Sequence, residues 1–243
     1  MHRLLSTKLE ICGECPVLSR EALNHLKVLR PKNGETIELF DGNGTTRVFR
    51  YSLPSKSLEP VAEPVFSQRP RRSSLTLFAC VTKASRWDWM IEKATELGVD
   101  AIVPVISART VVRIPSPERS SKRERWQRIT EEAARQSDAA YISHMHDIVD
   151  FEEAVEMSRQ TKCYAGALLD RKIPTLADAL SQECNGSGSY SVFIGPEGDF
   201  TESEMASLLE SAVPVTFGPR ILRAETAAIY AISVMTSVLD SKE

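Results

Sequence analysis

The chain has 243 residues, of which 42% are hydrophobic and 26% charged, and its formal net charge is −3. The length exceeds one average domain of roughly 100–150 residues and predicts two, and the composition is that of a globular protein, not a disordered or fibrous one. No apolar run reaches the roughly 18 residues of a membrane span, and residues 1–8 turn polar too early for a secretory signal, so no membrane partner and a cytoplasmic location are expected. The net charge conceals an asymmetry. Residues 1–72 hold 12 Lys/Arg against 8 Asp/Glu, whereas residues 73–243 hold 18 against 25. A small basic unit joined to a larger acidic one is compatible with nucleic-acid attraction by the first part.

Residues 19–26 have the pattern of a capped helix with Ser19 as N-cap, and Pro31 disfavours its continuation through Arg30. Residues 36–40 alternate, Asp41-Gly42-Asn43-Gly44 is a turn, and residues 45–51 return, which predicts a β-hairpin. Gln68-Arg69-Pro70-Arg71-Arg72 is basic and proline-interrupted, and the boundary between domains 1–71 and 72–243 is placed there. From Leu75 strands alternate with helices. Strands are predicted at 75–81, 101–106, 164–169, 190–194 and 215–217, with helices at 87–97, 117–137, 201–211 and 225–239. This alternation argues for an α/β fold with a mostly parallel sheet. Gly98 ends the first of these helices. Trp126, Ile129 and Ala133 form the apolar stripe of the long charged one, opposite Arg125, Arg128 and Arg135. Thr201 and Glu204 fit a capping box. The last helix is apolar over more than one face, as a helix buried in the monomer or against a partner subunit is.

Five scattered cysteines suit a reducing compartment. Cys12 and Cys15 form a lone C-x-x-C, and His144 and His146 lack a third ligand nearby, so no metal site is predicted.

Two apolar runs break into glycine-proline turns, at Gly195-Pro196-Glu197-Gly198 and at Gly218-Pro219-Arg220. Such turns expose backbone N–H and C=O groups with no bulky side chain in the way. Each leads into a helix, which predicts two adjacent strands whose carboxyl ends build one ligand pocket. Neither a P-loop nor a G-x-G-x-x-G fingerprint is present.

Ile194-Gly195-Pro196-Glu197-Gly198, followed by Phe217-Gly218-Pro219-Arg220-Ile221-Leu222-Arg223-Ala224-Glu225-Thr226-Ala227, resembles the ribosomal RNA small-subunit methyltransferase E family of SPOUT (trefoil-knot) methyltransferases. Thr82-Lys83, the run Ile91-Glu92-Lys93-Ala94-Thr95-Glu96-Leu97-Gly98-Val99, His25-Leu26-Lys27-Val28-Leu29-Arg30 and Phe40-Asp41-Gly42 carry the resemblance over nearly the whole chain. It implies an N-terminal PUA-like β-barrel domain, a C-terminal α/β domain with a deep trefoil knot, and a homodimer. It also implies an enzyme that uses S-adenosyl-L-methionine to methylate N3 of a uridine in 16S rRNA of the small ribosomal subunit, uridine 1498 being the family target.

On that reading Ile194, Gly195, Pro196, Glu197, Gly198, Phe217, Gly218, Ile221 and Leu222 are the candidate cofactor residues, main chain meeting the adenine edge and apolar side chains its faces. Loss of the N3 proton leaves charge on the uracil, which a fixed guanidinium favours, and Arg223 is the first candidate for that role. An ion pair of Arg223 with Glu225 or with a neighbouring carboxylate is its structural alternative. Glu225 is the second catalytic candidate, although at the start of a helix a carboxylate also suits the helix dipole. Arg3, Arg20, Arg30, Lys83 and the Arg69/Arg71/Arg72 cluster are candidate phosphate contacts. Two departures stand out: Ala224 replaces a usual threonine, and Arg135-Gln136-Ser137-Asp138-Ala139 replaces a usual Glu-Gln-(Ser/Cys)-Gly-Arg run. They are the only support for one alternative, a non-catalytic RNA-binding assembly factor; a second alternative is a SPOUT enzyme acting on another atom such as a ribose 2′-OH.

Overall fold

A computed structural model describes residues 1–14, 16, 18, 20–67, 73–169, 172–183 and 187–241. Ser19, Cys15, the Arg69/Arg71/Arg72 cluster and the expected domain junction at 71/72 lie outside the described residues. The chain divides into two units, one of residues 1–69 with 134–142 and one of residues 70–133 with 143–243.

The first unit contains β1 (His2–Leu5), α1 (Lys8–Cys12), α2 (Arg20–Leu29), β2 (Thr36–Phe40), β3 (Thr45–Ser52), β4 (Ser57–Pro60) and β5 (Val65–Phe66). The predicted hairpin is present: β2 and β3 are antiparallel, with Phe40 opposite Thr46. Its turn uses Gly42 at φ 71° and Gly44 at φ 96°, the left-handed region that glycine enters without cost. β1 lies parallel to β2, and β4 and β5 share the other edge of β3. Leu4, Ile11, Leu26, Ile37, Leu39 and Phe49 form the core. Residues 140–142 dock on the hairpin turn, where the Gly44 N–H donates to the Ala140 carbonyl (3.0 Å) and the Ile142 N–H to that of Gly42 (3.0 Å).

The second unit contains β6 (Ser73–Cys80), α3 (Ala84–Glu96), β7 (Ala101–Ile106), α4 (Ser116–Gln136, whose last three residues count with the first unit), β8 (His144–Met145), β9 (Val149–Asp150), α5 (Phe151–Ser158), β10 (Lys162–Gly166), α6 (Leu176–Glu183), β11 (Gly188–Ile194), α7 (Glu202–Leu208), β12 (Ala212–Val215) and α8 (Ala224–Asp240). The strand order is β12-β10-β11-β6-β7-β8, with β9 also on β7, and every pair is parallel. Side chains on successive strand positions point to opposite faces, so β6 sends Leu75, Leu77 and Ala79 to one core and Phe78 and Cys80 to the other. The first core takes α3, α6 and α8, with Trp126 of α4. The second is an aromatic cluster in which Phe78 stacks on Phe193 at 5.0 Å, and Phe151 and Phe200 close around them. The α7 capping box forms as predicted from Thr201 and Glu204, and no helix of the described residues is long and apolar enough to cross a membrane.

His146 is half-buried with His144 edge-on to it at 4.6 Å. Burial, and next the neighbouring His144, hold its imidazole below the ordinary histidine range. The folded chain thus keeps His146 neutral where the unfolded chain begins to take up a proton, near pH ~6.5. Its contribution to stability is complete above that pH and is lost as the pH falls below it. The same sign applies to His25, lowered by burial, Arg135 and His2. Calorimetry between about pH 7.5 and about pH 5.5 is expected to show a fall in Tm that is smaller in His146→Gln than in the wild type. Equal slopes in the two proteins would exclude His146 as a source of acid lability.

Candidate functional site

Three parallel strands of the second unit end side by side, β10 at Gly166, β11 at Ile194 and β12 at Val215, with Ala165 level with both Phe193 and Pro214. The segments that follow them enclose a cleft of about 270 Å³. The sequence predicts that the two glycine-proline turns follow adjacent strands, and the structure corrects this. β10 runs between β11 and β12, because helical crossovers, not nearness in sequence, decide which parallel strands pair. The end of β10 therefore supplies a third part of the cleft, Gly166, Ala167 and Leu168.

The first turn is seated on the aromatic cluster. A Cβ on Gly195 would lie 3.1 Å from the Phe200 ring, closer than the neighbour accepts without moving. The Asp199 N–H donates to the Pro196 carbonyl (2.9 Å), with Asp199 at φ 58°. Arg109, from the loop after β7, donates Nη1–H to the carbonyls of Gly198 (2.9 Å) and Phe200 (3.1 Å). The neighbouring Ala108 N–H donates to Glu204 Oε1 (2.8 Å), while Oε2 of the same carboxylate accepts from the Thr201 N–H (2.9 Å). One glutamate thus caps α7 and ties it to that loop.

The second turn needs Gly218, whose φ is 110°. Its N–H donates to Thr216 Oγ1 (3.2 Å), and Thr216 is fixed in turn by bonds to the Pro174 carbonyl and from the Leu176 N–H. The Phe217 ring lies against the bare Cα of Gly166, where a Cβ would come within 2.5 Å of it, and its other neighbour is Tyr230 at 5.7 Å. The second turn and the end of β10 are thus fitted to each other through Gly166, and the first turn is fitted to Phe200 through Gly195.

Of the residues the sequence singles out, Ile194, Gly195, Pro196, Glu197, Phe217, Gly218, Ile221, Leu222 and Arg223 line this cleft. Gly198 does not. Its carbonyl is turned to Arg109. Arg223 is the N-cap residue of α8, exposed, with no ion-pair partner among the described residues. The alternative pairing with Glu225 is not formed. Glu225, in the first turn of α8, is buried and does not line the cleft; its Oε1 lies 3.7 Å from Arg86 Nε, and its Oε2 has no hydrogen-bond partner among the described residues. Arg86 Nη1 also lies 3.6 Å from Glu197 Oε1.

Arg20, Arg30 and Lys83 are exposed. Arg3 is not, which corrects its assignment as a phosphate contact. It is buried, stacks 4.3 Å above the Phe40 ring, pairs with Glu38, and donates to the carbonyls of Ala134 and Ala139 (3.2 Å each). A guanidinium so engaged holds the first unit together and has no face left for RNA. Ala139, one of the two departures, takes part through its carbonyl. Among the cysteines, Cys80 is buried near the end of β6, and burial pushes its thiol up to about 12, so it is no nucleophile.

Sequence reading missed Gly166, Arg86 and Arg109. Gly166 carried a signal, the small residues Ala165-Gly166-Ala167 ending an apolar strand. The arginines carried none, since their partners lie 89 or more residues away along the chain.

A family model described as an RNA methyltransferase domain matches residues 69–236, and one described as an RNA methyltransferase PUA domain matches residues 18–58. The ribosomal RNA small subunit methyltransferase E of Bacillus subtilis is 37% identical over 159 residues, 63% of this chain. The matched stretch spans slightly under two thirds of that relative's own length, 62%. The protein of the same name from Synechocystis is 28% identical over 242 residues, covering 99% of this chain and 78% of the relative. Among solved structures, a ribosomal RNA small subunit methyltransferase E from Neisseria gonorrhoeae bound to S-adenosyl methionine superposes with a TM-score of 0.83 at 30% identity, covering 98% of this chain and 97% of that one.

The contact of Gly166 with Phe217 gives a direct test of how the cleft is built. Gly166→Ala is expected to displace the Phe217 ring and to cost about 1–3 kcal/mol in urea unfolding. Gly198→Ala, whose new Cβ would meet only Arg109 at 3.7 Å, is expected to change stability by less than about 0.5 kcal/mol. Equal costs at the two positions would contradict the fitted packing of β10 against the second turn.

Proposed function

The chain belongs to the RNA methyltransferase family, among the ribosomal RNA small subunit methyltransferase E proteins, and from that premise we propose that it methylates N3 of a uridine in 16S rRNA with S-adenosylmethionine as donor. The observation that carries this reading is the cleft itself, a backbone-walled, partly apolar recess with two guanidiniums, Arg220 and Arg223, among its lining residues and neither in an ion pair among the described residues. The residues present fit such a donor. Gly166, Gly195 and Gly218 let main chain approach an adenine edge, and Ile194, Phe217, Ile221 and Leu222 offer apolar surface to its faces. When bound, the sulfonium supplies an activated methyl group. The protein's part is to align and desolvate the acceptor.

Arg223 favours the deprotonated uracil by pairing with the charge shared over N3 and its flanking carbonyl oxygens. Its place just before α8 leaves the side chain exposed and unpaired, which suits a group that must meet an incoming base. Glu225 does not line the cleft, so it has a supporting part, and the N3 proton passes to solvent as the Arg223 guanidinium stabilises the anion. Arg20, Arg30 and Lys83 serve as phosphate contacts that position the RNA without reading its sequence. The reading also includes residues 1–71 as the RNA-binding domain, residues 72–243 as a trefoil-knotted catalytic domain, and a homodimer acting in the cytoplasm. Half-buried Ile229, Val234 and Val238 along α8 support a partner for that helix. A non-catalytic scaffold gains no observation in its favour, since Ala224 and Ala139 both have structural places in this chain.

Nucleosides of 16S rRNA from a strain lacking the gene are expected to lose 3-methyluridine and regain it on complementation. Retention of the modified nucleoside would reject the uracil-N3 reading. Arg223→Ala is expected to lower methyl transfer by about 100-fold or more while changing S-adenosylmethionine affinity by less than about threefold. Turnover near the wild-type rate would remove Arg223 from the mechanism.

A further inference from the structure

Arg86 stands in the first turn of α3, just beyond the end of β6, the strand that pairs with β11. It reaches two carboxylates from separate parts of the chain: Glu197, which lines the cleft after β11, and Glu225, in the first turn of α8. Different nitrogens serve the two, Nη1 at 3.6 Å from Glu197 Oε1 and Nε at 3.7 Å from Glu225 Oε1. Both separations are ion-pair distances and longer than good hydrogen bonds, so the link is chiefly one of charge. Glu225 depends on it heavily. Its side chain is 11% exposed and its second oxygen lacks a hydrogen-bond partner among the described residues. A carboxylate so desolvated must be balanced by a nearby cation.

We infer that Arg86 is a positioning residue for methyl transfer, holding the Glu197 and Glu225 carboxylates so that the Arg223 guanidinium stays free for the substrate; this rests on the function proposed above. Arg223 is two residues from Glu225, shares the cleft lining with Glu197, and has no ion-pair partner among the described residues. With Arg86 removed, it is the cation nearest in sequence that the uncompensated Glu225 charge can recruit. A guanidinium drawn into an ion pair has less positive potential and the wrong direction for a uracil. Arg86 thus acts through the two glutamates and touches neither donor nor acceptor.

The test uses the full-length protein with S-adenosylmethionine and 16S rRNA, comparing Arg86→Gln, Arg86→Lys, Glu225→Gln and the double variant Arg86→Gln/Glu225→Gln. Arg86→Gln is expected to lower kcat roughly 10- to 100-fold, with KM for RNA and calorimetric affinity for S-adenosylmethionine each within about threefold of wild type. Arg86→Lys restores the charge and is expected to recover part of the loss, though one ammonium cannot copy two separate nitrogens. In the Glu225→Gln background the same Arg86→Gln change is expected to cost less than about threefold, because the buried Glu225 charge is gone and the exposed Glu197 keeps its solvation. Thermal unfolding of each variant separates this effect from loss of fold. An unchanged kcat in Arg86→Gln, an equal cost in both backgrounds, or a defect confined to cofactor or RNA affinity would overturn the inference. A wild-type chain that transfers no methyl group would overturn the functional reading along with it, whereas an active wild type indifferent to Arg86 overturns this inference alone.

Discussion

The site depends on the insertion of β10 between β11 and β12. A parallel ladder fixes the level at which each strand ends, and here Gly166, Ile194 and Val215 end together. The two glycine-proline turns therefore stand on either side of a third strand, separated by its width. The cleft lies in that separation, with the end of β10 as part of its lining. The fit is maintained by contacts that leave no space for a side chain: Gly166 under the Phe217 ring and Gly195 over Phe200. Phe200 belongs to the aromatic cluster on one face of the sheet, so the first turn inherits the rigidity of that core.

Around this frame the charged groups divide between fold and chemistry. Arg109 and Glu204 hold the first turn through backbone bonds. In the small unit, Arg3 and Arg47 are both buried. Arg47 donates to the carbonyls of Ala62 (2.6 Å) and Gly13 (3.1 Å), much as Arg3 does to those of Ala134 and Ala139. The excess of basic residues in the first part of the chain is thus not all surface charge. Of the candidate phosphate contacts among the described residues, Arg20, Arg30 and Lys83 are exposed.

Local signals were readable where local physics decides the outcome. Residues 101–106 form a fully apolar run after Gly98, and they are β7 without an error at either end. Gly98 at φ 83° closes the preceding helix, and Thr201 with Glu204 forms the capping box. The hairpin around Gly42 and Gly44 follows from turn chemistry alone. Strand order is different, because it is set by which helices cross which face, and no property of residues 188–194 or 212–215 specifies their neighbour. The part of β10 was missed for that reason. Burial of Arg3 was also illegible, since an arginine in a short apolar strand looks the same whether its head reaches water or two distant carbonyls. Likewise, Glu225 could be placed at a helix start from sequence, but its partner, Arg86, is brought to it only by the sheet.

On the proposed function, the recess at the ends of β10, β11 and β12 holds a methyl donor between the two turns. A crystal structure of this chain with S-adenosylmethionine tests it most directly. The adenosine is expected between the glycine-proline turns, with main chain at Gly195 and Gly218 facing the base and the methyl group on the side of Arg223. Density for the donor elsewhere on the molecule, or an empty recess at saturating donor, would contradict it.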